Sequence, residues 1–169
     1  MNKVNDLKGK TKNIPLAKKA LKRWNTIHNR VASNKNYTNV TICEDWYTFS
    51  EFYEWFKENY VEGWDIDKDI FSGCGKVYSP ETCIFVPRFI NLMFRDVNNI
   101  HGKGVSITRN GKYQAQAKWN GIPQKFGTFN SCQEATAAYE AERKQYLYQL
   151  SVDYGSYTEL SNLLRKHSK

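Results

Sequence analysis

The sequence predicts an α+β protein in which a helical, ββα-type N-terminal module precedes a three-stranded antiparallel sheet packed on one helix. Three features of the 169 residues support this fold class. Apolar residues before residue 60 recur at three- and four-residue steps, as in amphipathic helices. Between residues 105 and 128, polar and apolar residues alternate around two Asn-Gly pairs, which is typical of strands and hairpins. An alanine-rich helical period then begins at Cys132.

The N-terminal region predicts a basic arm and two helices. Residues 1–15 are basic and end at Pro15, so we expect a flexible arm. Apolar spacing predicts a first helix from residue 16 to 32 and a second from residue 49 to 60. Thr48 and Glu51 stand at the spacing of a capping box for the second helix, although Thr48 could equally lie inside a preceding turn.

The next region predicts two extended segments and a short helix. Residues 64–70 and 83–86 lie between glycine and proline positions, which favours strands. Pro87 suits the first position of a helix. The polar, glycine-containing stretch 97–104 then predicts a joint between two modules.

The C-terminal region predicts strands at 105–109, 112–119 and 124–128. Asn110-Gly111 and Asn120-Gly121 each predict a two-residue hairpin turn. Ser131 and Glu134 form a second capping-box pattern, ahead of a helix from residue 132 to 150. Residues 157–166 carry three leucines at helical spacing and predict a short terminal helix.

Charge is unevenly distributed along the chain, which has a formal net charge of +8. Residues 1–30 carry +8, residues 31–100 carry −5 and residues 101–169 carry +5. Two basic ends favour a polyanion partner such as nucleic acid. Neither end has the long apolar helical face that a membrane surface would bind, no apolar run could cross a bilayer, and no secretory signal is evident. We therefore expect a soluble, cytoplasmic protein with no membrane partner.

The four cysteines are widely spaced and form no CxxC pair. Zinc sites are usually marked by closely spaced pairs, so reduced thiols are the favoured interpretation over a zinc site. They are Cys43, Cys74, Cys83 and Cys132.

The predicted C-terminal sheet has two chemically different faces. Small residues on one face of the second strand and on the following helix allow the two backbones to approach closely. These are Ala115, Ala117, Ala135 and Ala138. The opposite face would display Ser106, Thr108, Lys112, Gln114, Gln116, Lys118 and Lys125. Lysines bind phosphates and glutamine can pair with adenine, so this face could contact a DNA major groove; an ordinary solvated face is the alternative.

Three segments in this region resemble the Apetala-two/ethylene-response-factor DNA-binding domain. They are Gly104-Val105, residues 111–118 (GKYQAQAK) and residues 126–142 (FGTFNSCQEATAAYEAE). The resemblance implies three antiparallel strands on one helix, with double-stranded DNA as the partner. The candidate DNA-binding residues are Lys103, Ser106, Thr108, Arg109, Lys112, Gln114, Gln116, Lys118 and Lys125.

The sequence departs from the plant members of that family at four of these positions. Ser106 and Thr108 stand in place of arginines, Gln116 in place of glutamate and Lys125 in place of tryptophan. Fewer arginines imply fewer bidentate base contacts, whereas lysines retain the attraction to phosphates. We therefore expect DNA binding with reduced base discrimination.

A second resemblance covers the preceding module. Residues 65–70 (DIDKDI), a glycine turn, residues 78–87 (YSPETCIFVP) and Asn91 are similar to a phage-type HNH endonuclease module, with similar lead-in segments at 24–31 and 40–56. The resemblance implies a ββα-metal fold.

In that fold a histidine after an aspartate acts as general base. The aspartate matches Asp67, but Lys68 occupies the histidine position. An ordinary lysine is protonated at neutral pH and cannot accept a proton from water. The degenerate catalytic set would be Asp67, Lys68 and Asn91, and the ligands for Mg²⁺ or Mn²⁺, if the nuclease were active, would be Asp67, Asp69 and Asn91.

These features predict a double-stranded DNA-binding protein of phage or mobile-element type, acting in an infected bacterial cell with a degenerate nuclease centre. DNA binding would need no cofactor. One alternative is an active, metal-dependent homing-type endonuclease. A second is a host-protein interaction module formed by Trp46, Phe49, Phe52, Trp55 and Phe56. The expected domains are an arm at 1–15, an HNH-like module at 16–97, an Apetala-two-like domain at 102–150 and a basic tail with a short helix at 151–169. Nothing in the sequence sets an oligomeric state.

Overall fold

The computed structural model describes residues 2–71, 76–95 and 99–169, apart from the side chain of Asn36. The chain forms two compact units, a first unit at 1–87 and a second unit at 88–169. Helices and small sheets occur in both, which agrees with the α+β prediction. Cys74 and its flanking glycines, and Val97 in the expected joint, lie outside the described residues.

Two helices form the main support of the first unit. They are α1 (Ala17–Ser33) and α2 (Phe49–Asn59), each within one residue of its predicted bounds. Their apolar stripes meet because α1 and α2 pack on each other. The core is strongly aromatic: its fully buried side chains include Trp46, Phe49, Phe52 and Phe56.

Two short strand pairs complete the first unit. Strand β2 (Asp65–Asp67) pairs antiparallel with β4 (Ile84–Val86), inside the two predicted extended segments. Strand β1 (Thr41–Ile42) pairs in parallel with β3 (Val77–Tyr78), and the sequence analysis did not predict this pair. Two residues per strand are too few to produce a recognisable alternation.

The N-terminal segment is hydrogen-bonded to the first unit, although its basic composition predicts a flexible arm. The amide of Val4 donates to the carbonyl of Tyr47 at 2.8 Å, and its carbonyl accepts from the amide of Phe49 at 2.9 Å. Asp6 Oδ1 then accepts from the amide of Ser50, in the first turn of α2, at 3.0 Å. Thr48 makes no capping hydrogen bond, so the predicted Thr48–Glu51 capping box is wrong and Asp6 supplies the cap from outside the helix.

The second unit begins with α3 (Arg88–Phe94) and continues into a three-stranded antiparallel sheet. Its strands are β5 (Val105–Ile107), β6 (Tyr113–Trp119) and β7 (Ile122–Phe129), in the order β5-β6-β7. The contacts of α3 group it with this second unit, whereas the sequence analysis placed its residues in the preceding module. Compactness alone does not assign function, so the sequence-based domains stay predictions.

Helix α4 (Cys132–Asp153) covers one face of this sheet. Ala115 of β6 and Ala135 of α4 are fully buried, as the alanine pattern predicts. Gly104 has φ of 75°, and an added Cβ would lie only 2.1 Å from Cδ2 of Tyr139 on α4. The sheet and helix therefore approach closely at a position that only glycine allows.

The N-terminus of α4 confirms its predicted capping box. Ser131 Oγ accepts from the amide of Glu134 at 3.2 Å, and the Glu134 carboxylate accepts from the amide of Ser131 at 3.1 Å. At its other end α4 packs on α5 (Thr158–His167), which forms most of the expected tail. Buried leucines join these two helices: Leu147, Leu150, Leu160, Leu163 and Leu164. No helix among the described residues is both long and apolar enough to cross a membrane.

The two hairpin turns differ from each other. Asn120 and Gly121 have φ of 47° and 80° and form the predicted two-residue connection between Trp119 and Ile122. In the first hairpin, Thr108 and Lys112 are the closing pair, so its loop has three residues, 109–111. The two-residue prediction for Asn110-Gly111 is therefore wrong, although Gly111 does adopt a positive φ of 73°.

Candidate nucleic-acid interface

The face of the sheet turned away from α4 carries most of the predicted DNA-binding residues; we call it the outer face. Along β6, Ala115 is buried against the helix side, so Gln114, Gln116 and Lys118 project from the opposite side. Ser106 and Thr128 lie directly across from Gln114 on the neighbouring strands. The outer face comprises Ser106, Thr108, Lys112, Gln114, Gln116, Lys118, Lys125 and Thr128.

A β-bulge determines the position of Lys125. Ala115 pairs with Gly127, whereas the next residue, Gln116, pairs with Lys125, which leaves Phe126 as the extra residue. The Phe126 ring packs at 5.1 Å from the ring of Trp119, on the helix side. Without this bulge the register would shift by one, and Lys125 would point towards α4.

The outer face is positively charged and lies in a stretch of the chain without acidic residues. Residues 99–131 contain five Lys or Arg residues and no Asp or Glu. Lys112, Lys118 and Lys125 are exposed, and none of them takes part in an ion pair among the described residues. Their ammonium groups can therefore attract an external anion without first breaking a salt bridge.

Gln116 is held more firmly than its neighbours on this face. Its Nε2 donates to Ser106 Oγ at 3.0 Å, and its backbone amide donates to the carbonyl of Gly104 at 2.8 Å. Gln116 also lines a depression of about 440 Å³, together with residues that include Asn99, Lys118 and Pro123. The sequence analysis did not predict this hydrogen bond or the position of Thr128, although simple alternation from Phe129 indicates the latter.

Two of the predicted DNA-binding residues lie outside the strands. Arg109 is exposed in the loop of the first hairpin. Lys103 Nζ instead donates to the carbonyls of Met93 and Arg95, at 2.6 and 2.7 Å, at the C-terminal end of α3. A cation is favoured there because the end of a helix carries partial negative charge. In the structure, Lys103 therefore stabilises a helix end rather than joining the outer face.

The predicted catalytic aspartate has a structural role in the first unit. Asp67 is only 4% exposed, and its Oδ1 accepts from the amides of Asp69 and Ile70, at 3.0 and 2.8 Å. These bonds fix the turn that follows β2. Burial raises the pKa of the Asp67 carboxyl from its ordinary 3.8 to about 6.

Lys68 is also enclosed by the first unit. Its ammonium donates to the Asp69 carboxylate and lies 5.7 Å from the ring centroids of both Tyr37 and Tyr78. A divalent cation at Asp67 and Asp69 would have to compete with this ammonium and with the two amides bound to Asp67. These residues therefore do not fit a metal site as they are arranged, and no group of three or more His, Cys, Asp or Glu residues within 2–71, 76–95 and 99–169 could hold one.

The third predicted catalytic residue, Asn91, is half-buried on α3 in the second unit. The histidines also have packing roles. His28 is buried on α1 with its Nε2 3.0 Å from the carbonyl of Trp46, and burial lowers its pKa. The rings of His101 and His167 pack edge-on against Tyr113 and Phe94.

The aromatic residues considered for host-protein binding form the interior of the first unit. Trp46 is 1% exposed, and Phe49, Phe52 and Phe56 are fully buried. Trp55 is half-buried and stacks on Phe85 with centroids 5.6 Å apart. Their burial accounts for the aromatic pattern as core packing.

Comparisons with known proteins gave no match: no family model, no curated protein and no solved structure is significantly similar to the chain. The resemblances to the Apetala-two and HNH families therefore depend on the quoted segments, and both stay hypotheses. The geometry of the outer face does not depend on either of them.

Proposed function

We propose that the second unit binds double-stranded DNA by placing the outer face of its sheet in the major groove. The observation that carries the proposal is the register of the sheet, which gathers two glutamines and three unpaired lysines on one side. Helix α4 covers the other side of the sheet, so the polar residues of the outer face are not part of the core.

The dimensions of the sheet suit this binding mode. Three strands at about 4.8 Å spacing give a backbone width of roughly 10 Å, and the major groove of B-DNA is about 12 Å wide. The seven residues of β6 extend for about 24 Å, which exceeds the rise of six base pairs. The sheet can therefore enter the groove and follow it over a short site.

The residues on this face divide into two kinds of contact. Lys112, Lys118 and Lys125 would bind phosphates and supply the salt-dependent part of the affinity, with a log–log slope of about −2.7 for three phosphates. Gln114 and Gln116 would contact base edges. With no arginine on the strands themselves, we expect modest discrimination among sequences.

Charge reversal tests the proposal. Changing Lys112→Glu together with Lys118→Glu should weaken binding to a short duplex at least several-fold and flatten the salt slope by about 2. Fluorescence anisotropy across a salt series measures both quantities. The matched control is Lys18→Glu with Lys22→Glu, the same charge change on exposed positions of α1. Equal affinity for the wild type and the Lys112/Lys118 variant would refute the proposed face.

For the first unit we propose an HNH-like module without nuclease activity, so that the protein works by occupying DNA. Support comes from Lys68 at the general-base position and from Asp67, whose Oδ1 already binds two backbone amides. The setting we propose is a phage or mobile element inside a bacterial cell, with no cofactor needed for DNA binding.

A plasmid-nicking assay distinguishes this proposal from the homing-endonuclease alternative. Supercoiled plasmid incubated with Mg²⁺ or Mn²⁺ should remain uncut, because the general base is missing and loss of such a group typically costs 10²–10⁴-fold in rate. Metal-dependent nicking that Asp67→Ala or Asn91→Ala abolishes would establish the nuclease instead.

A further inference from the structure

We infer that Gln116, held by Ser106 at the edge of the outer-face depression, is the residue that recognises an adenine, and that Gln114 is not. This inference rests on the proposed DNA-binding function and assigns one base to one side chain. It follows from three differences between the two glutamines, namely how each side chain is held, what space lies beside it and which of its hydrogen-bonding groups remain available.

The first difference is preorganisation. The Gln116 carboxamide donates one N–H to Ser106 Oγ at 3.0 Å, and the backbone of Gln116 is tied to Gly104. Among the hydrogen bonds of the described residues, none holds the carboxamide of Gln114. A fixed side chain loses less conformational entropy when it binds, so Gln116 can discriminate more strongly for the same contact.

The second difference is space. Strand β5 begins at Val105, whereas β6 continues past Gln116 to Trp119, so the sheet loses its third strand beside residues 117–119. A depression of about 440 Å³ lies at this part of the sheet, and its lining includes Gln116, Lys118 and Asn99. Gln114 lies outside its lining, between strands that are both present. A base edge that approaches just beyond Gln116, towards Lys118, therefore meets no third strand, whereas Gln114 has a paired strand on each side.

The third difference is the set of groups left on Gln116. One N–H is used by Ser106, which leaves the second N–H as a donor and Oε1 as an acceptor. Adenine offers the complementary pair in the major groove, an acceptor at N7 and a donor at N6. Guanine presents two acceptors there and thymine one acceptor with a methyl group, so neither satisfies both groups.

Selection of bound sequences from a random duplex pool tests the assignment. The wild type should favour adenine at one position by about 5- to 150-fold, the range for a bidentate base contact. Gln116→Ala should remove that preference, while the matched variant Gln114→Ala should retain it. Ser106→Ala should reduce the preference, and Ser106→Thr, which keeps the hydroxyl, should restore it. Equal effects of the two glutamine variants would overturn the inference.

A modified base provides the decisive comparison. Replacing the preferred adenine by 7-deazaadenine removes the N7 acceptor, so it should weaken wild-type binding and leave the affinity of Gln116→Ala unchanged. If both proteins lose affinity equally, Gln116 does not contact that base. Binding by the wild type without any base preference would overturn this inference but leave the proposed function intact. Absence of DNA binding would refute the proposed function itself.

Discussion

The close approach of the sheet to α4 can be tested at Gly104, which immediately precedes β5. This residue combines φ of 75° with a position against the Tyr139 ring, where an added Cβ would lie 2.1 Å from Cδ2 and 2.3 Å from Cε2. Contacts that short require either the ring or the strand to move. Gly104→Ala should therefore destabilise the second unit while leaving the first unit unchanged.

Two effects determine the expected magnitude. A left-handed backbone costs a non-glycine residue roughly 1–2 kcal/mol. Overpacking a buried contact adds about 1–3 kcal/mol, because Tyr139 is 3% exposed and has little room to shift. Gly121 isolates the first effect, since it has φ of 80° and no atom within 4 Å of an added Cβ. Gly121→Ala should therefore cost only the backbone part, about 1–2 kcal/mol.

Hydrogen exchange of the β6 amides measures the stability of the second unit directly. The free energy of opening should fall by about 2–5 kcal/mol in Gly104→Ala, and by clearly less in Gly121→Ala. Amides of α2, in the first unit, serve as the internal reference. Equal losses in the two variants would show that Tyr139 does not press on this strand, and the packing described for the sheet would be wrong.

Three further predictions concern the other corrected or unexpected residues. Asp6→Ala should lower the free energy of unfolding of the first unit by about 0.5–2 kcal/mol, whereas Thr48→Ala should have little effect on capping. Thermal unfolding of the two variants measures both effects. A larger loss of stability in Thr48→Ala than in Asp6→Ala would contradict the external cap. Because burial raises the pKa of Asp67 from 3.8 to about 6, its protonated form stabilises the fold at low pH, and that contribution is lost as pH rises through 6. The free energy of unfolding of Asp67→Asn, measured relative to the wild type in urea, should therefore increase by up to about 3 kcal/mol between pH 4 and pH 7.5. A difference between the two proteins that does not change with pH would refute the buried carboxylate. Lys103→Met should destabilise the second unit by about 0.5–2 kcal/mol and leave the salt slope of DNA binding unchanged. A flatter slope would show instead that Lys103 contacts DNA, as the sequence predicts.

Local signals in the sequence were sufficient for the helices and for most of the sheet. The Ser131–Glu134 box is confirmed because both partners lie within one helical turn. Asn120-Gly121 forms the expected turn because both residues tolerate positive φ. The alternation along β6 predicted its buried and outward positions, since period-two patterning follows directly from strand geometry.

The failures involve partners that are distant in sequence. The cap of α2 comes from Asp6, more than 40 residues before Ser50, so the nearer Thr48 was a reasonable but wrong choice. The contacts of Lys103 with the carbonyls of Met93 and Arg95 are likewise not visible in a local pattern, and its role in DNA binding stays a prediction. Alternation from Ala115 places Trp119 on the helix side, but its partner is distant in sequence: the Trp119 ring stacks on Tyr146 with centroids 4.6 Å apart in the core of the second unit.

The candidate interface was predictable in kind but not in detail. Alternation placed Gln114, Gln116 and Lys118 on one side, and the structure adds Thr128 to the same surface. The position of Lys125 depends on a bulge, which a single sequence does not reveal. Hydrogen bonds such as that between Gln116 and Ser106 likewise require the register to be known first.

NMR titration of the isotope-labelled protein with a short DNA duplex tests the central claim most directly. Amide and side-chain signals of the outer face, above all those of Gln116, Lys118 and Lys125, should shift in proportion to bound DNA and recover at high salt. Signals from α2 should stay in place. Shifts confined to α4 and α5, or to the first unit, with the outer face unaffected, would contradict the account.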